Sequence, residues 1–376
     1  MLLLEHDAKA ALEARGVPVP AGAWFEAGDA PPALPCMIKA QVPAGGRGKA
    51  GGIRRAETAQ QADTHRAAIV GLTIGGHRVL GCRAEAVIEN GHEVYLGFTL
   101  DAAAGKVRVM LSEAGGIDVE DAGDAMHHAL AAPAPHALAA AVDGLAEALP
   151  DDLQAAARDA GRIIGKTFLD LDALLLEINP LMLLPDGGWV AADVRLAIDT
   201  DALPRQPDLA ALLEARPQAY GDALFKRHQG YDLIVIDPKG EVGLVTTGAG
   251  LSMKLIDEMT EQGVRPYNFC DIRSGQMRGD PARLIGAFQV MARAPRLKAV
   301  LVNIFAGVTD LGEFAELLLT ALKAVPELEA PIVARLAGNG QERAAAILTG
   351  SGVTLEQNLD RAVALVSNHA RQGADA

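Results

Sequence analysis

Gly243-Leu244-Val245-Thr246-Thr247-Gly248-Ala249-Gly250 is an apolar run closed by a glycine-punctuated turn, and the residues after it, to position 262, carry helical spacing. A strand that ends in such a turn and opens a helix is half of a parallel β-α-β repeat. Downstream the order recurs: a strand over 266–272, a strand over 299–304, a helix over 312–324, a strand over 332–336 and a helix over 341–349, with another strand over 231–236 ahead. This alternation specifies a doubly wound parallel sheet, so 221–376 is expected to be one α/β domain.

Upstream the texture differs. A helix is expected over 2–15, stopped by Gly16-Val17-Pro18. An extended run over 36–42 breaks at Pro43-Ala44-Gly45-Gly46. Short strands over 83–89, 93–100 and 106–112 are separated by Asn90-Gly91 and Ala104-Gly105, which reads as a mainly antiparallel sheet. A helix over 151–168 leads into strands over 173–178 and 189–194, a hairpin whose neighbouring strands present side chains to one site. Pro204, Pro207 and Pro217 mark 200–231 as a connector, and His127-His128 reads as a solvated pair on a loop or helix end. The expected domains are 1–220, with a glycine-rich subdomain at about 20–100, and 221–376.

The composition narrows the function. A chain of 376 residues is long enough for two or three domains, and only 4% of it is aromatic, so the cores draw on Leu, Val, Ile and Ala. With 34 Lys and Arg against 48 Asp and Glu, the formal charge is -14, which repels nucleic acid and anionic membrane surfaces. Cys36, Cys82 and Cys270 are odd in number and far apart, so neither a disulfide framework nor a thiolate metal site is expected. No apolar run of spanning length occurs, and a cytoplasmic protein without a membrane or nucleic-acid partner is expected.

Gly45-Gly46-Arg47-Gly48-Lys49-Ala50-Gly51-Gly52 is the strongest local chemical signal, because glycines let backbone amides close on phosphates and the cations supply charge. The run fits neither a dinucleotide fingerprint, since Ile53-Arg54-Arg55 continues as a strand, nor a Walker loop, since Pro43 and Ala50 stand at required positions. Two readings remain: a loop folding over a triphosphate, with Lys39 beside it, or an ordinary surface hairpin. Glu177-Ile178-Asn179-Pro180 and Ala192-Asp193 offer oxygen donors on adjacent strands, which suits Mg²⁺; an ordinary strand end with a solvated Asp193 is the other reading. The turns at 246–250 and 303–309 join strands to helices at the carboxyl edge of a parallel sheet, where ligands bind.

In chain order, Glu5-His6-Asp7-Ala8-Lys9, Lys39-Ala40-Gln41-Val42, the glycine run, Tyr95-Leu96-Gly97, Glu177-Ile178-Asn179-Pro180-Leu181, Arg205-Gln206-Pro207-Asp208-Leu209, Gly248-Ala249-Gly250-Leu251 and Val300-Leu301-Val302-Asn303-Ile304-Phe305 resemble the β subunit of succinyl-CoA synthetase and related ADP-forming acyl-CoA ligases. The resemblance spans nearly the whole chain. It implies an N-terminal ATP-grasp region, a C-terminal flavodoxin-like domain, Mg²⁺, and ATP or GTP and CoA as substrates. It also implies an α-subunit partner that carries a phosphorylated histidine and the CoA site. Carried over by motif, Lys39, Gly46, Arg47 and Gly48 look like phosphate contacts, Glu89 like a hinge acid near base and ribose, and Glu93 like a second nucleotide-contacting acid. Asn179 and Asp193 look like Mg²⁺ ligands, and Glu177 like the acid supporting histidine phosphorylation. Thr247, Gly307, Val308 and Thr309 fall on the motifs that touch the carboxylate substrate.

Departures gather at that acyl end. Thr247 stands where the family usually has Asn, Arg273-Ser274-Gly275 where it has a glycine triplet, and Ala306-Gly307-Val308-Thr309-Asp310 where it has Gly-Gly-Ile-Val-Arg. Asp193-Val194-Arg195 replaces Asp-Gly-Lys, and the interval from Glu89 to Glu93 is short. Arg273 is expected either to read an additional carboxylate, giving a different di- or tricarboxylate preference, or to salt-bridge the α partner. A degenerate nucleotide-binding regulatory subunit and an ATP-grasp carboxylate-amine ligase are the alternatives to the CoA ligase.

Overall fold

Leu2, Leu3 and Leu4 precede a helix rather than open one. The N-terminal helix is Glu5–Glu13, shorter than the apolar spacing predicts, because the first residues are extended alongside the strand Val194–Ile198. The Leu3 amide donates to Leu196 O at 2.9 Å and the terminal ammonium to Ile198 O at 2.7 Å. A computed structural model describes residues 1–116 and 126–372, which divide into two compact units, Met1–Tyr220 and Gly221–Ala376.

The first unit holds two antiparallel sheets. One has the order Gly22–Phe25, Gly81–Ala86, Cys36–Gln41, Ile53–Ala56 and carries the helix Ala59–Val70 on one face. Its period of two sends Ile38, Ala40, Cys82 and Ala84 into the core with Ala62 and Ile69, and sends Lys39, Arg83 and Glu85 to the other face. In the second sheet Ala173–Leu183 lies between His92–Asp101 and the residues after it, and Lys106–Ser112 and His127–Ala131 complete the far side. The helices Pro135–Leu145 and Asp151–Asp170 pack with this sheet through Phe98 and Phe168.

Three expectations change here. The strand expected over 189–194 is two, Trp189–Ala191 and Val194–Ile198, which pair with different halves of Ala173–Leu183. The ladder breaks at Asn179-Pro180, where Pro180 O accepts from the Ala192 and Asp193 amides and Asn179 donates to Asp193 O. The expected connector is folded: Pro207–Glu214 and Pro217–Gln229 are helices that begin on proline, and Leu209, Leu213 and Tyr220 are buried. His127 and His128 lie on a strand, opposite Leu111 and Met110, with exposed side chains.

In the second unit one sheet has the order Asp232–Val235, Asn268–Asp271, Val242–Thr246, Ala299–Ala306, Ile332–Gly338, Thr354–Leu355. All neighbours are parallel except the first strand, an antiparallel edge. The helices Ala282–Ala292 and Leu311–Ala324 cover one face, and Ala249–Glu261 and Leu359–Gln372 the other. The chain is thus α/β throughout, with a doubly wound second half.

Candidate functional site

The face of the first sheet that turns away from its helix is charged, and the glycine run folds over it. Gly46 and Gly51 have φ of +72° and +73°, which glycine adopts without strain. The loop is tied internally by Ala50 N to Gly46 O at 3.1 Å and Gly52 N to Arg47 O at 2.8 Å. It is therefore an ordered turn that points Arg47 inward. Beneath it lies a cavity of about 1040 Å³, walled by Glu5, the loop residues Gly45, Gly46, Arg47, Gly48 and Lys49, Tyr95, Gly116, and the hairpin residues Glu177, Asn179, Asp193 and Arg195.

One buried ionic network supports this cavity. Lys39 Nζ lies 3.0 Å from Glu5 Oε1, 2.7 Å from Glu85 Oε1 and 2.8 Å from Ala192 O. Arg47 bridges two walls, donating to Glu5 Oε2 and to Asp193 Oδ1, each at 2.5 Å. Burial opposes charge on every member. For Lys39 and Arg47 the carboxylates of Glu5 and Asp193 outweigh burial and raise their pKa values. Glu5 is likewise pulled against by burial, and Arg47, Lys39 and Lys9 hold it well below the usual carboxylate range.

The hairpin carboxylates are shifted the other way. Burial raises Asp193, with Glu5 adding to the effect, while Lys39 and Arg47 oppose it. Burial also raises Glu177; Arg195, 3.8 Å away, opposes, and Asp193 adds to the rise. Asn179 Oδ1 accepts from Gly116 N at 2.6 Å. These donors fit a small hard cation. Glu177, Asn179 and Asp193 offer oxygens only, and a divalent ion there relieves two carboxylates that the fold holds against their ionised form. Among the described residues no group of three or more His, Cys, Asp and Glu forms a protein cage. Magnesium does not need one, because it keeps water and takes phosphate oxygens.

Lys39, Gly46, Arg47, Gly48, Glu177, Asn179 and Asp193 are thus brought together. Glu93 is exposed and does not line the cavity; its backbone carbonyl accepts from Gly115 N at 3.2 Å, next to the lining residue Gly116. Glu89, expected near base and ribose, is instead outside the cavity wall; its side chain is 60% exposed and faces Arg55 at 3.5 Å. It follows the end of the Gly81–Ala86 strand, so the alternation that buries Glu85 does not reach it. Sequence reading passed over Glu5, Lys9 and Glu85. The sequence carries only the spacing, an i,i+4 pair for Glu5 and Lys9 and a shared strand face for Arg83 and Glu85; their burial is a property of the fold.

In the second unit, three turns at the carboxyl ends of the parallel strands bring Thr247, Ser274 and Thr309 together: Thr247 Oγ1 lies 3.2 Å from Ser274 Oγ, which lies 3.4 Å from Thr309 Oγ1. Val308 is 96% exposed, and Gly307 beside it is also exposed. Arg273 has φ +53° and donates to Asp232 Oδ2 at 2.8 Å. The guanidinium expected to read an acid or to meet a partner is engaged within its own unit.

Two family models match the chain, an ATP-grasp domain over residues 2–183 and a CoA-ligase domain over 245–368. A nucleotide-gripping unit followed by a CoA-ligase unit defines the class, an acid-thiol ligase. The succinate–CoA ligase [ADP-forming] subunit beta of Chloroflexus aggregans is 34% identical over 385 residues, covering 97% of this chain and 98% of that protein. The corresponding GDP-forming subunit of Thermus thermophilus is 33% identical over 387 residues, covering 98% of each. ATP citrate lyase from Methanothrix soehngenii, solved with citrate and coenzyme A, shares the fold at TM-score 0.74 and 17% identity, covering 98% of this chain and 99% of that one. The chain belongs to the succinate–CoA ligase β-subunit family. Among the described residues no helix is long and apolar enough to cross a membrane.

Proposed function

We propose that this chain is the nucleotide-binding β subunit of a heteromeric ADP-forming carboxylate–CoA ligase, working with an α subunit that carries the phosphorylated histidine and the CoA site. Its reaction is ATP, or GTP, plus carboxylate plus CoA giving nucleoside diphosphate, phosphate and acyl-CoA. The observation that carries this reading is the meeting of Arg47 with Glu177, Asn179 and Asp193 in one cavity under the glycine loop, with Lys39 just beneath its wall, 3.0 Å from the lining residue Glu5. Cations on one wall and oxygen donors on the other suit a triphosphate with its metal.

In this reading Lys39, Arg47 and the amides of Gly46 and Gly48 hold phosphates, with Glu93 nearer the remainder of the nucleotide. Asn179 and Asp193 hold Mg²⁺, which supplies charge neutralisation for the transferring phosphoryl group. Glu177, whose pKa is raised chiefly by burial, is suited to exchange a proton with the partner's imidazole. The phosphoryl group passes to that histidine and then to the acid as an acyl phosphate; the CoA thiolate attacks its acyl carbon and inorganic phosphate leaves. The hydroxyls of Thr247 and Thr309, with the backbone of Gly307 and Val308, form the acid end, and a succinate-like dicarboxylate is the substrate.

The test is thioester formation by the chain reconstituted with its α subunit. Sustained, multiple-turnover release of nucleoside diphosphate that requires CoA, acid, Mg²⁺ and both subunits supports the reading. Release that proceeds without the α subunit, or with an amine in place of CoA, contradicts it.

A further inference from the structure

Lys9 lies on the N-terminal helix, fully buried, and repeats the contacts of Lys39 almost atom for atom. Its Nζ is 2.7 Å from Glu5 Oε1, 2.6 Å from Glu85 Oε2 and 2.8 Å from Ala192 O. An ammonium has three N–H donors, and each lysine has these same three residues as partners. Lys39 as it stands therefore has its donors committed to protein oxygens. A phosphate ligand must release at least one of them.

Without a second cation, that release strips counter-charge from buried carboxylates, which is strongly unfavourable. Glu5 would keep only Arg47, itself a phosphate ligand in the proposed site, and Glu85 would keep only Arg83 at 2.8 Å. With Lys9 in place both acids remain paired when Lys39 leaves.

We propose that Lys9 is a positioning residue for nucleotide binding, a resident counter-ion that holds Glu5, Glu85 and the Ala192 carbonyl so that Lys39 is free to turn to the nucleotide phosphates. The inference rests on Lys39 being a phosphate ligand. Lys9 touches no substrate; it acts through Lys39. Its signature is a nucleotide-specific defect that vanishes once Lys39 is gone.

The experiment is a double-mutant cycle in the reconstituted enzyme, reading Mg·ATP affinity by calorimetry together with kcat and KM for nucleotide, acid and CoA. Lys9→Met is expected to raise the nucleotide KM about tenfold while leaving the KM values for acid and CoA within about twofold. Lys9→Arg, which keeps the charge, is expected to recover most of that loss. Lys39→Met with Lys9→Met is expected to bind nucleotide no worse than Lys39→Met alone, since the two changes are coupled. Lys9→Gln, which keeps a donor but not the charge, runs the same cycle if Lys9→Met loses its melting transition.

An unchanged nucleotide KM in the Lys9 variants, or additive losses in the double variant, overturns the inference. If Lys39→Met itself leaves Mg·ATP affinity intact, the phosphate-ligand reading fails, and the role of Lys9 falls with it.

Discussion

Asp193 Oδ1 is shared between the Arg47 guanidinium and the Val194 amide, 2.8 Å away, while burial pushes its pKa up. In the proposed site that carboxylate exchanges the Arg47 guanidinium for Mg²⁺. Asp193→Asn keeps the shape and removes the charge, so activity should fall by about a hundredfold or more and the Mg²⁺ needed for half-maximal rate should rise; a magnesium titration of the reconstituted enzyme reads both. His6 offers a pH test nearby. Burial, with Arg216 and Arg83, lowers its pKa from 6.5 to about 4. As pH falls the unfolded chain binds the proton first, so the stability His6 confers at neutral pH is lost between about 6.5 and about 4. Melting temperature across that window should fall more steeply in the wild type than in His6→Gln; parallel curves would remove His6 from the acid response. Arg273 is held by Asp232, so Arg273→Ala should leave the ranking of succinate, malate, itaconate and citrate unchanged in a thioester assay. That a glycine loop, cations and paired oxygens gather at one place was legible, because the glycine run and the Glu177-Ile178-Asn179-Pro180 stretch stand out in the sequence. Glu5, Lys9 and Glu85 were not, since an i,i+4 pair ordinarily lies on a solvated helix face and only the fold shows this one buried.

At the scale of elements, close approach decides. A Cβ on Gly161 would sit 2.2 Å from Val142 Cγ1, where the helix Asp151–Asp170 crosses Pro135–Leu145. Alanine gains helix propensity of about 1 kcal/mol, but overpacking against a stiff β-branched neighbour costs about 1–3 kcal/mol, so Gly161→Ala should be net destabilising. Urea unfolding measures this, and adding Val142→Ala should recover part of the loss. The period-two strands and the strand-turn-helix cycles were readable from side-chain alternation and glycine turns. The break of the hairpin over 173–194 was not, because it arises from Pro180 O taking two amides, those of Ala192 and Asp193. The region of Pro204, Pro207 and Pro217 misled for a related reason. Proline there opens helices rather than preventing them, and Leu209 and Leu213 bury the face that a linker would leave wet.

For the whole molecule, the two units gather different side-chain chemistries. The first gathers phosphate-type cations and metal-type oxygens under a glycine loop, and the second gathers hydroxyls at the ends of parallel strands. In the proposed mechanism the phosphoryl group passes from the first unit to a histidine on another polypeptide. The change of texture along the chain announced two architectures; the phosphoryl-carrying histidine of the proposal comes from the resemblance and from no residue pattern in this chain. The most direct measurement mixes this chain with its α subunit, γ-³²P-ATP and Mg²⁺, omits acid and CoA, and follows the label. The account predicts acid-labile, base-stable label on an α-subunit histidine, abolished by Asp193→Asn and discharged by adding acid and CoA. Label that stays in the nucleotide, or that attaches to this chain, would contradict it.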